Sequence, residues 1–264
     1  ASAASHRGGT LRIVDAPRIP GLEARYDTDP GGDPVHNVAP FTADGLVGHR
    51  RAGGAAGSAL LPDLATSIPR PTNGGLTYSF QLRPNIVYAT GEPVRAADFR
   101  RALERSFVVA SGFGAWGPIL FPSIVGAEAC ANEDGTPVQR CDLSAGILTD
   151  DVANTVTFNL STPDPDFVYK LAQPAAYPVP EGIPMNDLVD GAFPGTGPYV
   201  VSAVTDNEVR LARNPHFRVW DAAVRPDGFP DEIVFSVVEN DAQRVAMMLN
   251  GEADYTSYRT ETRT

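Results

Sequence analysis

Two cysteines and four histidines are the first side chains to consider for chemistry in this chain of 264 residues. Cys130 and Cys141 are the only cysteines, and Asp134 to Pro137 form a predicted turn between them. Two thiols cannot complete a closed zinc site, and no histidine lies near them in sequence. We therefore predict a disulfide that closes a hairpin-like loop and indicates an oxidising compartment. Two free thiols in the native protein would remove this argument for export.

The histidines do not form a metal-binding pattern. His36 and His49 lie thirteen residues apart with no carboxylate pattern between them, His6 lies in the amino-terminal tail, and His216 lies in a predicted turn. The Gly-x-Ser-x-Gly, His-Glu-x-x-His and P-loop motifs are absent from the sequence. We therefore predict no catalytic residue, no metal and no cofactor. An enzyme with a carboxylate pair drawn from the 32 acidic residues is an open alternative.

Aromatic side chains are the remaining candidates for binding. Phe113 and Trp116 lie in a stretch rich in glycine and serine, and Trp116 is flanked by Gly114 and Gly117. Aromatic rings offer contact area at low conformational cost, which suits a surface that binds varied solutes. Burial in the core is the alternative interpretation of each ring.

Charge disfavours nucleic acid as a partner, and hydropathy does not predict a membrane helix. The net charge is -11 with a pI near 4.8, and no Lys/Arg stripe is present, which disfavours nucleic-acid binding. No apolar run approaches the ~18 residues of a membrane helix. Residues 1–9 are small and polar, without the apolar segment of a signal peptide, so we expect that any export signal has been removed. Such a tail usually follows a lipoprotein cleavage site.

The elements that position these residues begin with an alternating strand. Leu76, Tyr78, Phe80 and Leu82 alternate with polar residues, which predicts a strand with one buried face. A second short strand is predicted at residues 86–88, and a helix follows with Phe99, Ala102, Leu103 and Phe107 on one side. Arg95 stands at the N-cap position of this helix and cannot accept a hydrogen bond from its amides.

Further strands and helices follow from similar patterns. Strands are predicted at residues 11–14, 155–160, 209–213 and 232–238, with a turn at 147–151. A helix is expected within residues 35–46, and Asp164 with Pro165 should begin another.

Residues 240–251 predict a capped amphipathic helix. Asn240 and Gln243 form a capping box, and Gly251 occupies a C-terminal cap position. The residues with helical spacing on its predicted inward face are Ala242, Val245, Ala246 and Leu249.

Several of these segments together resemble a known family. The blocks are Pro62 to Ala65, Gly75 to Arg83, Gly91 to Val94, Ala97 to Phe99 and Gly195 to Val200. Their order and spacing are similar to those of extracellular solute-binding protein family 5, the peptide, oligopeptide and nickel binding components of ABC importers. The chain departs from the family pattern at Tyr88-Ala89-Thr90 and at Arg95.

The resemblance implies an α/β (mixed α+β) fold, the first lobe of a type II periplasmic binding protein, with the second lobe absent. It implies a discontinuous subdomain I at residues 1–34 and 146–258, an inserted subdomain II at 35–145, and a tail at 259–264 near the hinge. Because the family closes two lobes around its ligand, one lobe alone should bind weakly.

The resemblance also implies a function and a set of ligand-facing residues. The chain is expected to bind a small solute or short peptide outside the membrane, as a monomer that delivers it to the membrane permease of an ABC importer. The loop after the opening strand contributes Asp27 and Pro30, although a plain surface loop is the alternative for this segment. The remaining residues implied by the family are Tyr199, Tyr255, Ser257 and Tyr258. A ligand sensor for a regulator, built on the same fold, is the alternative function.

Overall fold

The computed structural model describes residues 7–15, 38–111, 114–132, 138–186, 193–205 and 207–256. The strands are β1 (Thr10–Asp15), β2 (Val47–His49), β3 (Leu60–Pro62), β4 (Thr77–Gln81), β5 (Ala110–Ser111), β6 (Gly114–Ala115), β7 (Ile147–Asp150), β8 (Thr155–Asn159), β9 (Tyr199–Val204), β10 (Glu208–Arg213), β11 (Glu232–Val237) and β12 (Tyr255–Thr256). The α-helices are α1 (Ala39–Thr42), α2 (Ala96–Val108), α3 (Gly117–Leu120), α4 (Phe167–Lys170) and α5 (Asp241–Leu249). This mixture of sheets and few helices agrees with the predicted α/β class.

The larger sheet has five strands in the order β12-β1-β11-β10-β9. The opening strand β1 pairs in parallel with both β11 and β12, whereas β10 is antiparallel to β11 and to β9. Its core includes Ile13, Leu211, Ile233 and Phe235. The ring of Phe41, in α1, packs edge-on against Phe235 with centroids 5.7 Å apart. The sheet therefore joins both ends of the described sequence.

The second large element is an antiparallel sheet in the order β4-β8-β7, with α2 against it. The predicted alternation is confirmed, since Tyr78 and Phe80 are buried while Ser79 and Gln81 are exposed. Residues 86–88 do not form the predicted strand, because Val87 makes only an isolated bridge to Pro93. Residues 147–150 form β7, where a turn was expected.

Strand pairing also changes the expected subdomain boundary at residue 146. The strands β7 and β8 pair in one sheet with β4, which belongs to the segment assigned to the inserted subdomain. A cut at 146 would separate β4 from its paired neighbour β8. The structure therefore groups both strands with the insert rather than with the larger sheet.

The helix α2 begins without help from the Arg95 side chain. The carboxylate of Asp98 accepts the backbone N–H of Arg95 at 2.9 Å, and Asp151 Oδ1 accepts the N–H of Ala97 at 3.1 Å. Asp151 lies in the turn between β7 and β8. A carboxylate distant in sequence thus binds a free amide in the first turn of α2.

The two later helices differ from their predictions in different ways. The helix α4 starts at Phe167, and Asp164 instead accepts the N–H of Asp166 at 3.1 Å in a local turn. The helix α5 is capped as predicted, since Asn240 Oδ1 accepts the N–H of Gln243 at 3.0 Å and Gly251 has φ 72°. However, its predicted inward face is exposed.

The structure joins Cys130 and Cys141 by a disulfide, as their spacing predicts. Both half-cystines are buried in the core of the β4-β8-β7 unit. The predicted turn between them, at 134–137, lies outside the described residues. Among the described helices, none has the length and apolar composition needed to cross a membrane.

Candidate functional site

The carboxyl ends of three parallel strands meet at one edge of the five-stranded sheet. The register aligns Ile13 with Tyr255 and Val14 with both Thr256 and Ser236. The strands β1, β11 and β12 therefore end side by side, and we name this the carboxyl edge. In open α/β sheets, ligands bind outside the carboxyl ends of the strands. This edge is accordingly the candidate site.

An ion pair fixes the outermost strand at this edge. Arg12 on β1 donates from its guanidinium to both carboxylate oxygens of Asp254, at 3.0 and 3.1 Å. The backbone N–H of Arg12 donates to the same carboxylate at 2.8 Å, and Asp254 N–H donates to Arg12 O at 2.8 Å. These hydrogen bonds from Arg12 hold the pKa of Asp254 below its usual range. The pair positions β12, and with it Tyr255.

Of the residues expected to face ligand, Tyr255 is at the carboxyl edge. Its side chain is 56% exposed, so its ring is available for contact. Asp27 and Pro30 follow β1 in sequence, and Ser257 and Tyr258 follow β12, but all four lie outside the described residues. Phe113 lies outside them as well.

Tyr199 is aligned with the opposite edge of the same sheet. It pairs with Arg213 at the start of β9, level with the amino end of β1. Its ring is 2% exposed, and its hydroxyl donates to Pro230 O at 2.8 Å. The Arg213 guanidinium lies 5.7 Å from the ring centroid. This placement matches the core-packing alternative.

Trp116 precedes α3 and is half-buried against the core of the β4-β8-β7 unit. Its indole Nε1–H is buried and has no hydrogen-bond partner among the described residues. An indole nitrogen can only donate. Trp116 therefore combines core packing with an unused donor.

A buried ion pair, unanticipated from the sequence, connects distant segments of the chain. Arg225 and Asp44 are 3% and 2% exposed at their side chains and pair through Nε and Oδ1. Thr196 Oγ1 donates to the second Asp44 oxygen at 2.6 Å, and Arg225 Nη2 donates to Ala43 O at 3.0 Å. Asp63 lies close by, with its Oδ1 accepting the Trp220 indole N–H at 2.8 Å. We name these residues, Asp44, Asp63, Thr196, Trp220 and Arg225, the Asp44 cluster.

Burial dominates the ionisation of this cluster. Desolvation raises the pKa of Asp44, and the neighbouring Arg225 and Thr196 oppose that rise. Desolvation, followed by the charge of Asp44, raises the pKa of Asp63 to about 8. Two carboxyls and one guanidinium in a dry environment therefore favour a proton on Asp63 at neutral pH.

The Gly-Thr-Gly segment that precedes β9 serves this packing. A Cβ at Gly195 would lie 1.8 Å from Thr42 O, and one at Gly197 would lie 2.2 Å from Arg225 Nη2. The N–H of Gly197 donates to Thr42 O at 2.9 Å. The glycines thus permit close contact with the end of α1, which is a structural role distinct from phosphate binding.

A cavity of about 400 Å³ lies apart from the carboxyl edge, between the residues preceding α2 and residues 180–183. Arg95, Glu92 and Glu181 stand in its lining. The carboxylate of Asp98, also in the lining, accepts a hydrogen bond from the Tyr88 hydroxyl at 2.9 Å. Within the described part of the chain, no three metal-ligating side chains cluster together.

An open mixed sheet with a candidate ligand edge, joined to a second α/β unit, defines the class of a solute-binding lobe. Residues 59–264 match the family described as bacterial extracellular solute-binding proteins, family 5 middle. This match covers more than half of the chain, so the chain belongs to that family. The expected family is confirmed. A search of curated proteins found no match.

Solved structures of peptide-binding proteins share this fold. The clavulanic acid biosynthesis oligopeptide binding protein 2 is 27% identical with a TM-score of 0.73, covering 94% of this chain and 44% of that one. The Helicobacter pylori ABC transporter-associated periplasmic binding protein DppA, in complex with the peptide STSA, is 18% identical with a TM-score of 0.71, covering 97% and 48%. The periplasmic murein tripeptide binding protein MppA, in an unliganded open form, is 24% identical with a TM-score of 0.70, covering 94% and 45%. The chain therefore spans less than half the length of these proteins and has the fold of that part.

Proposed function

We propose that this chain is the first lobe of a peptide-binding component of an ABC importer, and that its carboxyl edge forms one wall of the peptide site. Family membership carries the proposal. The likeness to an oligopeptide binding protein, at 27% identity, supports peptides as the solute class.

The geometry of the carboxyl edge suits one wall of a cleft. The ends of the parallel strands β1, β11 and β12 form a hydrogen-bonded surface, and the ion pair of Arg12 and Asp254 holds β12 in place on it. Tyr255 offers an exposed ring there. A peptide gains most when it is desolvated between two walls, so this lobe alone binds weakly and a second lobe provides the remaining affinity.

Peptide recognition uses groups that every peptide shares. Main-chain N–H and C=O groups beside a strand can pair with an extended peptide, while aromatic rings accept varied side chains. Asp27, Pro30, Ser257 and Tyr258 join Tyr255 in the proposed wall. Phe113 and Trp116 are proposed on their chemistry, as aromatic rings that accept varied side chains.

The proposed location is outside the cell membrane. Family 5 proteins are bacterial extracellular solute-binding proteins, and the disulfide between Cys130 and Cys141 suits an oxidising compartment. A lipid anchor near residue 1 would hold the protein beside its permease. The protein delivers its ligand as a monomer and catalyses no reaction.

The experiment measures stabilisation of the protein, at the full length that its gene encodes, by pools of short peptides. A peptide that binds should raise the melting temperature, because ligand at 100 times Kd adds about 2.7 kcal/mol to the free energy of unfolding. The Tyr255→Ala variant should weaken binding about tenfold, which corresponds to about 1.4 kcal/mol.

The matched control is Tyr169→Ala, which removes a ring that is 52% exposed on α4. It should leave peptide affinity unchanged. Stabilisation by no peptide pool, or equal losses in both variants, would contradict the proposed wall.

A further inference from the structure

The Asp44 cluster lies where the chain passes between its two α/β units. The helix α1 packs on the larger sheet, because Phe41 contacts Phe235. Shortly afterwards, Leu46 lies in the core of the β4-β8-β7 unit. Asp44 therefore belongs to the short segment, residues 43–45, that carries the chain from the larger-sheet unit to the β4-β8-β7 unit. We name this segment the outward crossing.

The chain returns through a second segment that contacts the first. Ala176 lies in the core of the β4-β8-β7 unit, whereas Tyr199 lies in the core of the larger sheet. We name residues 194–198, which lead into β9, the return crossing. In this segment Thr196 Oγ1 donates to the Asp44 carboxylate at 2.6 Å. The two crossings are thus tied to each other by a buried hydrogen bond.

A loop of the larger-sheet unit makes a further connection. The loop joins β10 to β11, and its Arg225 pairs with Asp44 and donates to Ala43 O at 3.0 Å. The same loop packs Trp220 against the core of the β4-β8-β7 unit, where the indole N–H donates to Asp63 at 2.8 Å. One buried network therefore joins both crossings and this loop.

The network places two carboxyl groups beside one buried guanidinium. Asp44 and Asp63 are 2% and 4% exposed, and Arg225 is 3% exposed. Burial raises the pKa of the nearby Tyr177 to about 12, so this phenol stays neutral near pH 8. The titratable and charged groups that face Asp63 among the described residues are Asp44, Tyr177, Arg51, Arg83 and Arg225.

The charge of this network depends on one proton. While Asp63 is protonated, the buried charges of Asp44 and Arg225 balance. Loss of the proton leaves two carboxylates beside one guanidinium, and like charges in a dry environment repel. Desolvation, followed by the charge of Asp44, opposes this loss and raises the pKa of Asp63 to about 8. A group with a raised folded pKa stabilises the closed network at low pH, and this contribution is lost as pH rises through that pKa.

We propose that the Asp44 cluster is a proton-sensitive clasp between the two units, closed while Asp63 carries a proton and loosened when that proton leaves to solvent. Each unit has its own core, so loosening lets the units change their relative orientation while both stay folded. The clasp is apart from the carboxyl edge, since the return crossing leads into the start of β9, level with the amino end of β1. The inference goes beyond peptide binding and makes the fold responsive to alkaline pH.

The test measures the distance between spin labels on the two units by pulsed electron spin resonance. It uses the protein at the length its gene encodes, with any cysteine beyond residue 264 replaced by serine. Val152→Cys marks the turn between β7 and β8, and Val204→Cys marks the end of β9, at positions that are 96% and 41% exposed. The native cysteines form the disulfide, so the labels attach to the introduced thiols.

A single narrow distance should appear at pH 6 and be lost at pH 9, with a midpoint near the pKa of about 8. Asp63→Asn keeps an oxygen for the Trp220 indole but has no proton to lose, so it should keep the narrow distance at both pH values. The matched control is Asp231→Asn, at a carboxyl that is 71% exposed in the same loop, and it should retain the native response. Labels at Val204→Cys and Leu249→Cys, both in the larger-sheet unit, should keep one distance throughout.

Four outcomes would overturn the proposal. The first is an unchanged distance between the units from pH 6 to pH 9, and the second is an equal loss in Asp63→Asn. The third is loss of the distance within the larger-sheet unit, which shows unfolding instead of a loosened clasp. If Asp63→Asn does not fold, the native midpoint decides, because loosening that begins only near pH 12 identifies Tyr177 as the titrating group. These measurements use no peptide, so failure of the clasp leaves the proposed peptide binding unaffected.

Discussion

Replacing Arg225 by methionine removes the one guanidinium in the Asp44 cluster and keeps most of its apolar stem. In the native protein this group pairs with Asp44 and donates to Pro40 O and Ala43 O. The variant leaves Asp44, which is 2% exposed, with the Thr196 hydroxyl as its remaining described hydrogen-bond donor. The substitution therefore leaves a buried carboxyl without its charged partner and two backbone carbonyl groups without the donor that Arg225 provided.

The expected loss of stability is large. Breaking a buried ion pair by removing one partner costs about 3–5 kcal/mol, because the remaining charge stays desolvated. A protein of this kind has a free energy of unfolding of about 5–15 kcal/mol, so the variant should stay folded but unfold at much lower urea. The cost should be greater at pH 8 than at pH 5, because burial opposes ionisation of an Asp44 carboxyl that has lost Arg225.

The loss should shrink at pH 5. Burial already raises the pKa of Asp44, and removing the attraction of Arg225 raises it further. A carboxyl whose folded pKa is raised can hold a proton at low pH and loses that advantage as pH rises through the folded pKa. The protonated side chain carries only the cost of missing hydrogen bonds, about 1–3 kcal/mol.

The assay is urea unfolding at pH 5 and pH 8, followed by tryptophan fluorescence, since Trp220 lies in the cluster. Arg218→Met is the matched control, because it makes the same chemical change at an exposed side chain. Asp44→Asn combined with Arg225→Met should recover part of the loss, since no charge is then stranded. A loss in Arg225→Met within about 0.5 kcal/mol of the control at both pH values would refute the reasoning.

Three further predictions concern stability. The free energy of unfolding should fall between pH 5 and pH 8, because burial raises the folded pKa of Asp63 to about 8 and the unfolded chain releases that proton at lower pH. In urea titrations, Asp63→Asn should flatten this dependence of stability on pH. An unchanged dependence would count against the role of Asp63. Asp151→Ala should destabilise the protein by about 0.5–2 kcal/mol through loss of the hydrogen bond from the N–H of Ala97, whereas the control Glu128→Ala should change the free energy of unfolding by less than about 0.5 kcal/mol. Equal effects of the two variants would exclude Asp151 as a cap of α2. Cys130→Ser should cost roughly 2–3 kcal/mol, with a similar loss when the native protein is reduced, and insensitivity to reductant would argue against the disulfide.

Elements with strong local signals were predictable from sequence. The alternation at residues 76–82 predicts β4, and the polar cap at Asn240 predicts the start of α5. These signals succeed because backbone geometry at those positions depends on neighbouring residues. The order of motif blocks predicted the family, which the match over residues 59–264 confirms.

Features that depend on distant residues were not predictable. Asp151 caps α2 across 54 positions, and Asp44 pairs with Arg225 from segments with no shared pattern. Arg244 on α5 is buried and donates to Val238 O at 2.6 Å, a contact that periodicity alone does not reveal. Periodicity finds an apolar side but does not identify what lies opposite it.

Sheet topology divides the expected site residues in a way that sequence order does not. Tyr199 and Tyr255 were grouped by resemblance, yet the register aligns the first with the amino end of β1 and the second with its carboxyl end. The direction and pairing of each strand decide this, and both become known only from the assembled sheet.

The most direct measurement of the central claim is photo-crosslinking of a short peptide that carries a benzophenone, mapped by mass spectrometry on the protein at the length its gene encodes. We predict first-lobe crosslinks in residues 16–37, which follow β1 in sequence, and in residues 254–258, which include and follow β12, together with competition by unlabelled peptide. First-lobe crosslinks confined to the amino edge around Tyr199, or to the cavity beside Arg95, would contradict the account.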